Sequence, residues 1–266
     1  MSNLTTLLRT AKQFQQRGLW KQAIDAYGKV IDENPCFLGG YFGRQICFRR
    51  EGRFRDARDD LDFILSVTEG IPFHEEQYPT LEFRADSFYE RGEFHAEQEQ
   101  WSTAFEFYHQ STKILLKLPE NQRMAVKIIT NSYKRGFLLS ERLQKPEQAL
   151  DEYSKGIRLA EDWMKKETQA PFLERFKKRR RTGYLKRAMV QESLHHFSEA
   201  RTDFLKLGDM QGNYHIGRMY FREGDLENAQ RHLLTALEIP HQRCVVSMHA
   251  ADLLLRIKIA RNIPEC

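Results

Sequence analysis

The sequence GLWKQAIDAYGKVIDENP, residues 18–35, describes one amphipathic helix with a beginning and an end. Ala23, Tyr27 and Val30 recur at helical spacing and therefore lie on one face. A glycine precedes the helix, and Pro35, which cannot continue a helix, follows it. A helix this short is marginal alone. The stretch therefore predicts similar helices elsewhere in the chain that pack against it.

Five further copies of this pattern follow. Each has a small residue on the second helix and a larger residue one turn later. The small residue is an alanine in all six copies, at positions 23, 57, 104, 149, 200 and 229. The first two alanines are 34 residues apart, and periods of 20–50 residues indicate a helical-repeat architecture.

The composition is typical of an all-α protein. Hydrophobic residues make up 41 % of the chain and charged residues 30 %, and strictly alternating β-branched runs are scarce. No apolar stretch approaches the ~20 residues of a membrane-spanning helix, and the N-terminus lacks the pattern of a secretory signal. The four cysteines form no CxxC pair. We therefore expect a reducing, cytoplasmic location and no cysteine-bound zinc.

The order of residues in the first and sixth copies resembles the tetratricopeptide repeat, a 34-residue helix–turn–helix unit. The first copy carries Leu7, Ala11, Phe14, Gly18, Ala23, Tyr27, Val30 and Pro35, and the sixth carries Gly217, Tyr220, Ala229, Leu233, Ala236 and Pro240. The resemblance implies a right-handed α-solenoid of about six helical hairpins with a C-terminal capping helix. It also implies a non-catalytic protein that binds another protein.

We predict a single superhelical domain over residues 1–266. Its parts are regular repeats at 3–36 and 37–70, a loop at 68–80, irregular long-helix repeats at 81–208, a repeat at 211–240 and a capping helix at 241–262. The steps between the six alanines are 34, 47, 45, 51 and 29 residues, so the middle departs from the family's period. We expect partner-specific features at these breaks.

The charges are split along the chain. Residues 56–106 contain 14 acidic and 3 basic residues, whereas residues 121–190 contain 18 basic and 8 acidic residues. Such asymmetry can mark separate partner surfaces. An alternative is that the two stretches form helix faces of opposite sign that attract each other.

The first helices of the later repeats carry basic and aromatic residues typical of protein-interface hot spots. We predict that they line a partner-binding groove: Lys127, Lys134, Arg135, Arg142, Lys186, Arg187, Tyr214, Arg218, Phe221 and Arg222. A basic patch is predicted at Arg175, Lys177, Lys178, Arg179, Arg180 and Arg181. The alternatives for this patch are a nuclear import signal, a binding patch for an acidic protein or nucleic acid, and one solvated helix face.

Some members of the family hold a partner's C-terminal carboxylate with lysine and asparagine side chains. The matching positions hold Leu8, Lys12, Gly43, Asp86 and Glu90. Two carboxylates would repel such a terminus, so we expect no binding of that kind.

No catalytic motif is present, and the nine histidines form no cluster with metal-ligand spacing. We expect no catalytic residues, no metal and no cofactor. The predicted function is an adaptor or scaffold that binds an acidic peptide or helix of another protein in its concave groove. The alternatives are nucleic-acid binding through residues 121–190, and a sensor whose groove opens around a peptide. Self-association through the apolar C-terminal helix is a further expectation.

Overall fold

The computed structural model describes residues 3–238 and 245–261, which form α-helices, one 3-10 turn at Glu75–Gln77 and no β-strand. The helices, in chain order, are α1 (Asn3–Gln16), α2 (Trp20–Glu33), α3 (Leu38–Arg50), α4 (Phe54–Val67), α5 (Tyr78–Glu97), α6 (Trp101–Leu115), α7 (Gln122–Glu141), α8 (Pro146–Lys166), α9 (Ala170–Ser193), α10 (Phe197–Leu205), α11 (Met210–Arg222), α12 (Leu226–Glu238) and α13 (Val245–Arg261). The all-α prediction is confirmed. Pro240 and residues 241–244 and 262 of the expected cap lie outside the described residues.

Successive helices pair into hairpins, α1–α2, α3–α4, α5–α6, α9–α10 and α11–α12, and α13 follows the last one. The end of α7 and α8 form the sixth hairpin, in which Gly136 lies against the Tyr153 ring. The chain divides into two compact units, Met1–Arg135 and Gly136–Cys266, and the division falls within α7. The single domain over residues 1–266 stays a prediction.

The six alanines that defined the repeats are buried in the two units. Each is 0 % exposed, on the second helix of its hairpin. In the first unit, Ala23 and Tyr27 pack in one cluster with Ala57 and Leu61. In the second unit, Ala200 packs in a cluster with other buried side chains of α9, α10 and α11. The methyl group lets the first helix come close, and the larger residue one turn later fills the adjoining space.

A glycine on the first helix receives the aromatic ring of the second helix in two hairpins. A β-carbon added at Gly92 would lie 2.7 Å from the ring of Tyr108, and one added at Gly136 would lie 2.9 Å from the ring of Tyr153. Both rings are about 1 % exposed. These contacts tie α5 to α6 in the first unit, and the last part of α7 to α8 in the second.

One residue with left-handed backbone joins the two helices of every hairpin. These residues, with their φ angles, are Gly18 (71°), Gly52 (75°), Glu99 (58°), Gln144 (53°), His195 (63°) and Gly224 (81°). Each stands five positions before the buried alanine of its hairpin. All six turns therefore share a left-handed residue at the same distance from the alanine, although this residue is a glycine in only three copies.

The backbone hydrogen bonds explain this shared feature. At Gly52, the N–H donates to the carbonyl of Arg49, and the next N–H, of Arg53, donates to the carbonyl of Phe48. This pair of bonds is the Schellman ending of a helix, and the turns at positions 18, 99, 195 and 224 repeat it. In the remaining turn the N–H of Lys145 reaches back six residues to the carbonyl of Leu139. The α7–α8 turn therefore contains one extra residue.

Two segments differ from the sequence prediction. The expected loop at 68–80 ends earlier, because α5 begins at Tyr78 and includes Pro79 in its first turn. A proline is tolerated there because its missing N–H has no helical partner. The second is α13, for which the sequence predicts a packing stripe of Val245, Met248, Ala251, Leu254 and Leu255. Ala250 and Ile257 are the buried residues instead, and Val245 is 66 % exposed.

Replacing Glu99 by glycine should stabilise the first unit. A residue with a β-carbon in the left-handed region costs about 1–2 kcal/mol, which glycine avoids. We expect a gain of about 0.5–1 kcal/mol in the free energy of unfolding, after the larger chain entropy of glycine is subtracted. Urea unfolding followed by circular dichroism measures it.

Gly52→Ala is the matched reverse change. An added β-carbon would meet no atom within 4 Å at Gly52, so any loss of stability reports the backbone angle alone. A loss of about 1 kcal/mol is expected. Equal stability of both variants and the parent protein would contradict the shared turn.

Candidate functional site

The predicted groove cations of the first unit are paired with carboxylates of α5. The Lys127 ammonium lies 2.7 Å from Glu82 and 2.6 Å from Asp86, and that of Lys134 lies 2.8 Å from Glu93. Burial raises the pKa of Asp86, and Lys127 opposes this rise. Acidic and basic stretches of the sequence thus meet as neighbouring helix faces. For Lys127 and Lys134, the alternative given by the sequence is therefore correct, because these basic residues attract an acidic helix face of the same protein.

Arg135 differs from the other two because its side chain is buried. It is 4 % exposed and donates to the carbonyl of Tyr108 and to the hydroxyl of Thr112, 2.6 Å away. This guanidinium ties α7 to α6 and is not presented to a partner.

A buried ion pair of the same geometry occurs once in each unit. Arg44 donates from Nε and Nη2 to the two oxygens of Asp60, and Arg187 does the same to Asp203. In both cases the arginine is sixteen residues before the aspartate, and the aspartate is at most 5 % exposed. Arg187 therefore joins α9 to α10. The repeated sixteen-residue spacing is a sequence signal that could have revealed this role.

Two other predicted groove residues meet at one buried carboxylate of the second unit. Glu192, 7 % exposed, accepts from Arg218 at 2.6 and 2.7 Å and from Arg222 at 3.0 Å. His215 lies parallel to Phe204 with ring centres 4.6 Å apart. Burial lowers the pKa of His215 to about 4, so the ring is neutral at pH 7. The arrangement couples α9 to α11.

The remaining four groove residues are dispersed over the second unit. Phe221 packs against the buried cluster that contains Leu233. The Tyr214 ring lies 5.9 Å from the Arg218 guanidinium. Lys186 is half-buried, and Arg142 is exposed. Within each unit, most of the predicted groove residues are therefore engaged by neighbouring helices.

The basic patch is a helical segment within α9 whose members point in several directions. Phe176, in its middle, is 0 % exposed and stacks on Trp163. Lys177 pairs with Glu174 at 2.7 Å, and Arg181 binds Asp209 and Gln211. The other members are Arg175, which lies over the Phe172 ring, exposed Lys178, and half-buried Arg179 and Arg180.

A cavity that the sequence did not predict opens between α3 and α5 of the first unit. Its volume is about 460 Å³, and its lining comprises Gln45, Ile46, Arg49, Arg50, Phe54, Glu90 and Glu97. Gln45 is 0 % exposed, and neither polar atom of its amide has a hydrogen-bond partner among the described residues. Leaving such an amide unpaired costs about 1–3 kcal/mol.

The charged wall of this cavity is largely balanced. Arg49 pairs with Glu90 at 2.6 Å and also with Glu97, and its guanidinium lies 5.1 Å from the Phe94 ring. Burial raises the pKa of Glu90, and the charge of Arg49 opposes this rise. Arg50 is exposed and forms no ion pair with any residue that the structure describes. The cavity therefore has an exposed cation without an ion pair and an exposed Phe54 ring, and the unpaired Gln45 amide is buried in its wall.

The repeat pattern of the sequence could have identified Gln45 as an exceptional residue. It stands twelve residues before the buried alanine, where four other copies have Ala11, Gly92, Ala188 and Gly217. In the copy with the longer turn, Gly136 stands thirteen residues before. A long polar side chain at a position that is otherwise alanine or glycine is the signal.

Two other kinds of site are absent from the described ranges, 3–238 and 245–261. No helix there combines the length and apolarity needed to cross a membrane. No group of three or more histidine, cysteine or acidic side chains in these ranges could hold a metal ion. Cys36 and Cys47 are free thiols, and Cys244 and Cys266 lie outside the described residues.

Comparison with known proteins identifies the fold. The family model of the tetratricopeptide repeat matches residues 5–35. No curated protein matches the sequence. Among solved structures, pilF of Pseudomonas aeruginosa aligns with a TM-score of 0.60 at 14 % identity, over 95 % of this chain and 97 % of that chain.

Two further solved structures agree. The apo form of RapI aligns with a TM-score of 0.64 at 11 % identity, over 98 % of this chain and 72 % of that chain. YrrB, described as a tetratricopeptide repeat protein with an unusual peptide-binding site, aligns with a TM-score of 0.53 at 18 % identity, over 86 % and 99 %. Residues 5–35 are therefore a tetratricopeptide repeat, and the chain has the helical-repeat fold of tetratricopeptide repeat proteins.

Proposed function

We propose that this protein is a non-catalytic adaptor that binds an extended segment of another protein at the α3–α5 cavity. The observation that carries the proposal is the Gln45 amide, which is buried and unpaired at a cavity of ligand-binding size. A carboxamide offers one donor edge and one acceptor edge. A peptide backbone, or an asparagine or glutamine side chain, presents the complementary pair.

The rest of the cavity suits a peptide with little net charge. Arg49 is already neutralised by two carboxylates, so it adds little attraction for an anion. Phe54 is 52 % exposed and offers an apolar contact beside the amide. Aromatic and arginine anchors with a few polar contacts are the usual carriers of affinity at protein interfaces.

The sequence-predicted groove residues support a partner site less well. Arg187 and Arg218 hold buried carboxylates, and a partner's acidic residue would have to displace Asp203 or Glu192. Removing one member of a buried ion pair is costly, about 3–5 kcal/mol. We therefore propose that these arginines maintain the hairpins of the second unit.

Gln45→Met should change stability and binding in opposite directions. Methionine keeps the length of the side chain and removes both unpaired polar atoms, so the free energy of unfolding should rise by about 1–2 kcal/mol. Peptides selected from a random 12-residue phage-display library should bind the variant at least tenfold more weakly. Fluorescence anisotropy with the selected peptides measures the affinity.

Gln191→Met is the matched control, because Gln191 is also buried and its side-chain oxygen is unpaired among the described residues. Its affinity for the same peptides should equal that of the parent protein. Unchanged affinity of Gln45→Met, or failure of the library to yield any peptide, would contradict the proposed site.

Nucleic-acid binding is the second candidate function. It is favoured by four cations of α9, Arg175, Lys178, Arg180 and Lys186, none of which forms an ion pair within the described part of the chain. If they neutralise four phosphates of single-stranded RNA, the logarithm of affinity should fall with the logarithm of salt with a slope of about −3.

Titration of a 20-nucleotide RNA at several salt concentrations tests this. Changing Arg175, Lys178 and Arg180 to glutamine should reduce the slope. The same change at Lys155, Lys165 and Lys177, which already pair with neighbouring carboxylates, should leave the slope nearly unchanged. No binding at 50 mM salt would exclude this function.

The basic segment of α9 also bears on the location of the protein in the cell, which we propose to be the cytoplasm. An import receptor needs an accessible basic segment, whereas residues 175–181 lie in the middle of α9 with Phe176 buried. This favours the cytoplasm over the nucleus. Nuclear accumulation of a fluorescent fusion, abolished by changing residues 177–180 to glutamine, would contradict the proposal.

Self-association through α13 is proposed on the basis of its outer face. Val245, Met248, Leu255 and Ile259 are between 54 and 69 % exposed and recur at helical spacing. A second copy of the same face would cover them. Met248→Glu with Leu255→Glu should convert a dimer to a monomer in sedimentation equilibrium, whereas Lys258→Glu should not. A monomeric parent protein at 100 μM would refute self-association.

A further inference from the structure

A second cavity lies where the regular repeats end, in the first unit. Its volume is about 280 Å³, and it is formed by the segment after α4 together with α5, α6 and the residues that follow α6. The lining residues are Thr68, Gly70, Ile71, Phe73, Leu81, Arg84, Phe88, Gln110, Lys113, Ile114 and Lys117.

The base of this cavity is apolar. Leu81 and Ile114 are 1 % and 8 % exposed and belong to one buried cluster, against which Ile71 and Phe88 pack. Phe73, from the connecting segment, remains 39 % exposed. A large apolar side chain entering here would meet aliphatic and aromatic walls, with Phe73 available to cover it.

Three cations stand around this base, and no acidic residue lines the cavity. Arg84 donates to the carbonyl of Leu65 at 2.9 Å and to the hydroxyl of Thr68 at 3.1 Å, which are both uncharged groups. The Lys117 ammonium lies 4.5 Å from the centre of the Phe73 ring. Lys113 is exposed. None of the three forms an ion pair with a described residue.

Other cations that face α5 or α4 in this unit do have acidic partners. Arg44, Arg49, Arg91, Arg123, Lys127 and Lys134 all pair with aspartate or glutamate. The three cations of the cavity also lie on or beside the stretch that is richest in acid, residues 56–106. Burial lowers the pKa of Arg84, and the charge of Glu69, an exposed residue that does not line the cavity, opposes this effect. The positive charge therefore lies beside an apolar base in a cavity that no acidic residue lines.

We propose that this cavity binds an acidic segment of a partner protein, in which one large apolar side chain enters the cavity and flanking carboxylates pair with Arg84, Lys113 and Lys117. Charge complementarity requires that the occupant carry negative charge. Arg84 uses Nη1 for its internal bonds, and its planar guanidinium presents further donors of a geometry that suits a carboxylate.

This site is separate from the α3–α5 cavity, with which it shares no lining residue, and it does not rest on the proposed function. It also differs in ligand chemistry, because the α3–α5 cavity offers an unpaired amide. One adaptor could use both to distinguish partners.

The probe is a panel of fluorescein-labelled nonapeptides. Each contains leucine, isoleucine, phenylalanine or tryptophan placed zero to three residues before or after a pair of glutamates. We expect at least one peptide to bind the parent protein with a dissociation constant below 1 mM. Replacing its glutamates by glutamine, or its apolar residue by serine, should weaken binding at least fivefold.

The protein variants locate the site. Lys113→Gln with Lys117→Gln changes two exposed residues and should weaken binding of the acidic peptide at least fivefold, and adding Arg84→Gln should weaken it further. Lys21→Gln with Lys29→Gln removes the same charge from exposed positions of α2 and should have no effect. Circular dichroism shows whether each variant is folded, and the double variant carries the test if the Arg84 change unfolds the protein.

Three results would overturn the proposal. One is that no peptide of the panel binds below 1 mM, and another is that the double variant binds as well as the parent. The third is that decanoate or a short RNA binds more tightly than every peptide with the same dependence on Lys113 and Lys117, which would assign the cavity to a lipid or a nucleic acid.

Discussion

The close approach of two helices at a buried alanine is the constraint on which the rest of this structure depends. All six hairpins meet it in the same way, with the alanine fully buried and a left-handed residue five positions before it. The hydrogen bonds that end the first helix fix the direction in which the second one leaves. Once that direction is fixed, the residue one turn after the alanine can reach the first helix, as Tyr108, Tyr153 and Leu233 do at Gly92, Gly136 and Gly217. The packing inside each unit follows from this local geometry.

The sequence predicts this part of the fold well because the alanines repeat visibly, and the first four helices lie within the repeats predicted at 3–36 and 37–70. It does not reveal the turns at Glu99, Gln144 and His195, since a left-handed backbone at these residues has no compositional signature. It can show where Gln45 breaks the pattern, but not that its amide lacks a partner. That property depends on the helices around it.

The charge pattern was the least predictable feature from sequence alone. Counting charges along the chain finds an acidic and a basic stretch, but their effect depends on which side chains face each other. Lys127 and Lys134 face the acids of α5, and Arg187 and Arg218 hold buried carboxylates. A net excess of cations therefore did not locate a binding surface. The unpaired groups carry more information, namely the Gln45 amide and the three cations around the second cavity.

The constant five-residue distance between turn and alanine has a consequence for how such a chain can change in length. The steps between successive alanines range from 29 to 51 residues, yet this distance does not vary. Insertions and deletions are therefore absorbed in the first helices, in the far ends of the second helices and in the connections between hairpins. These insertions and deletions therefore leave the register inside each hairpin unchanged. Outer segments such as residues 68–77 can diverge to acquire a new ligand while the hairpins on either side keep their internal geometry.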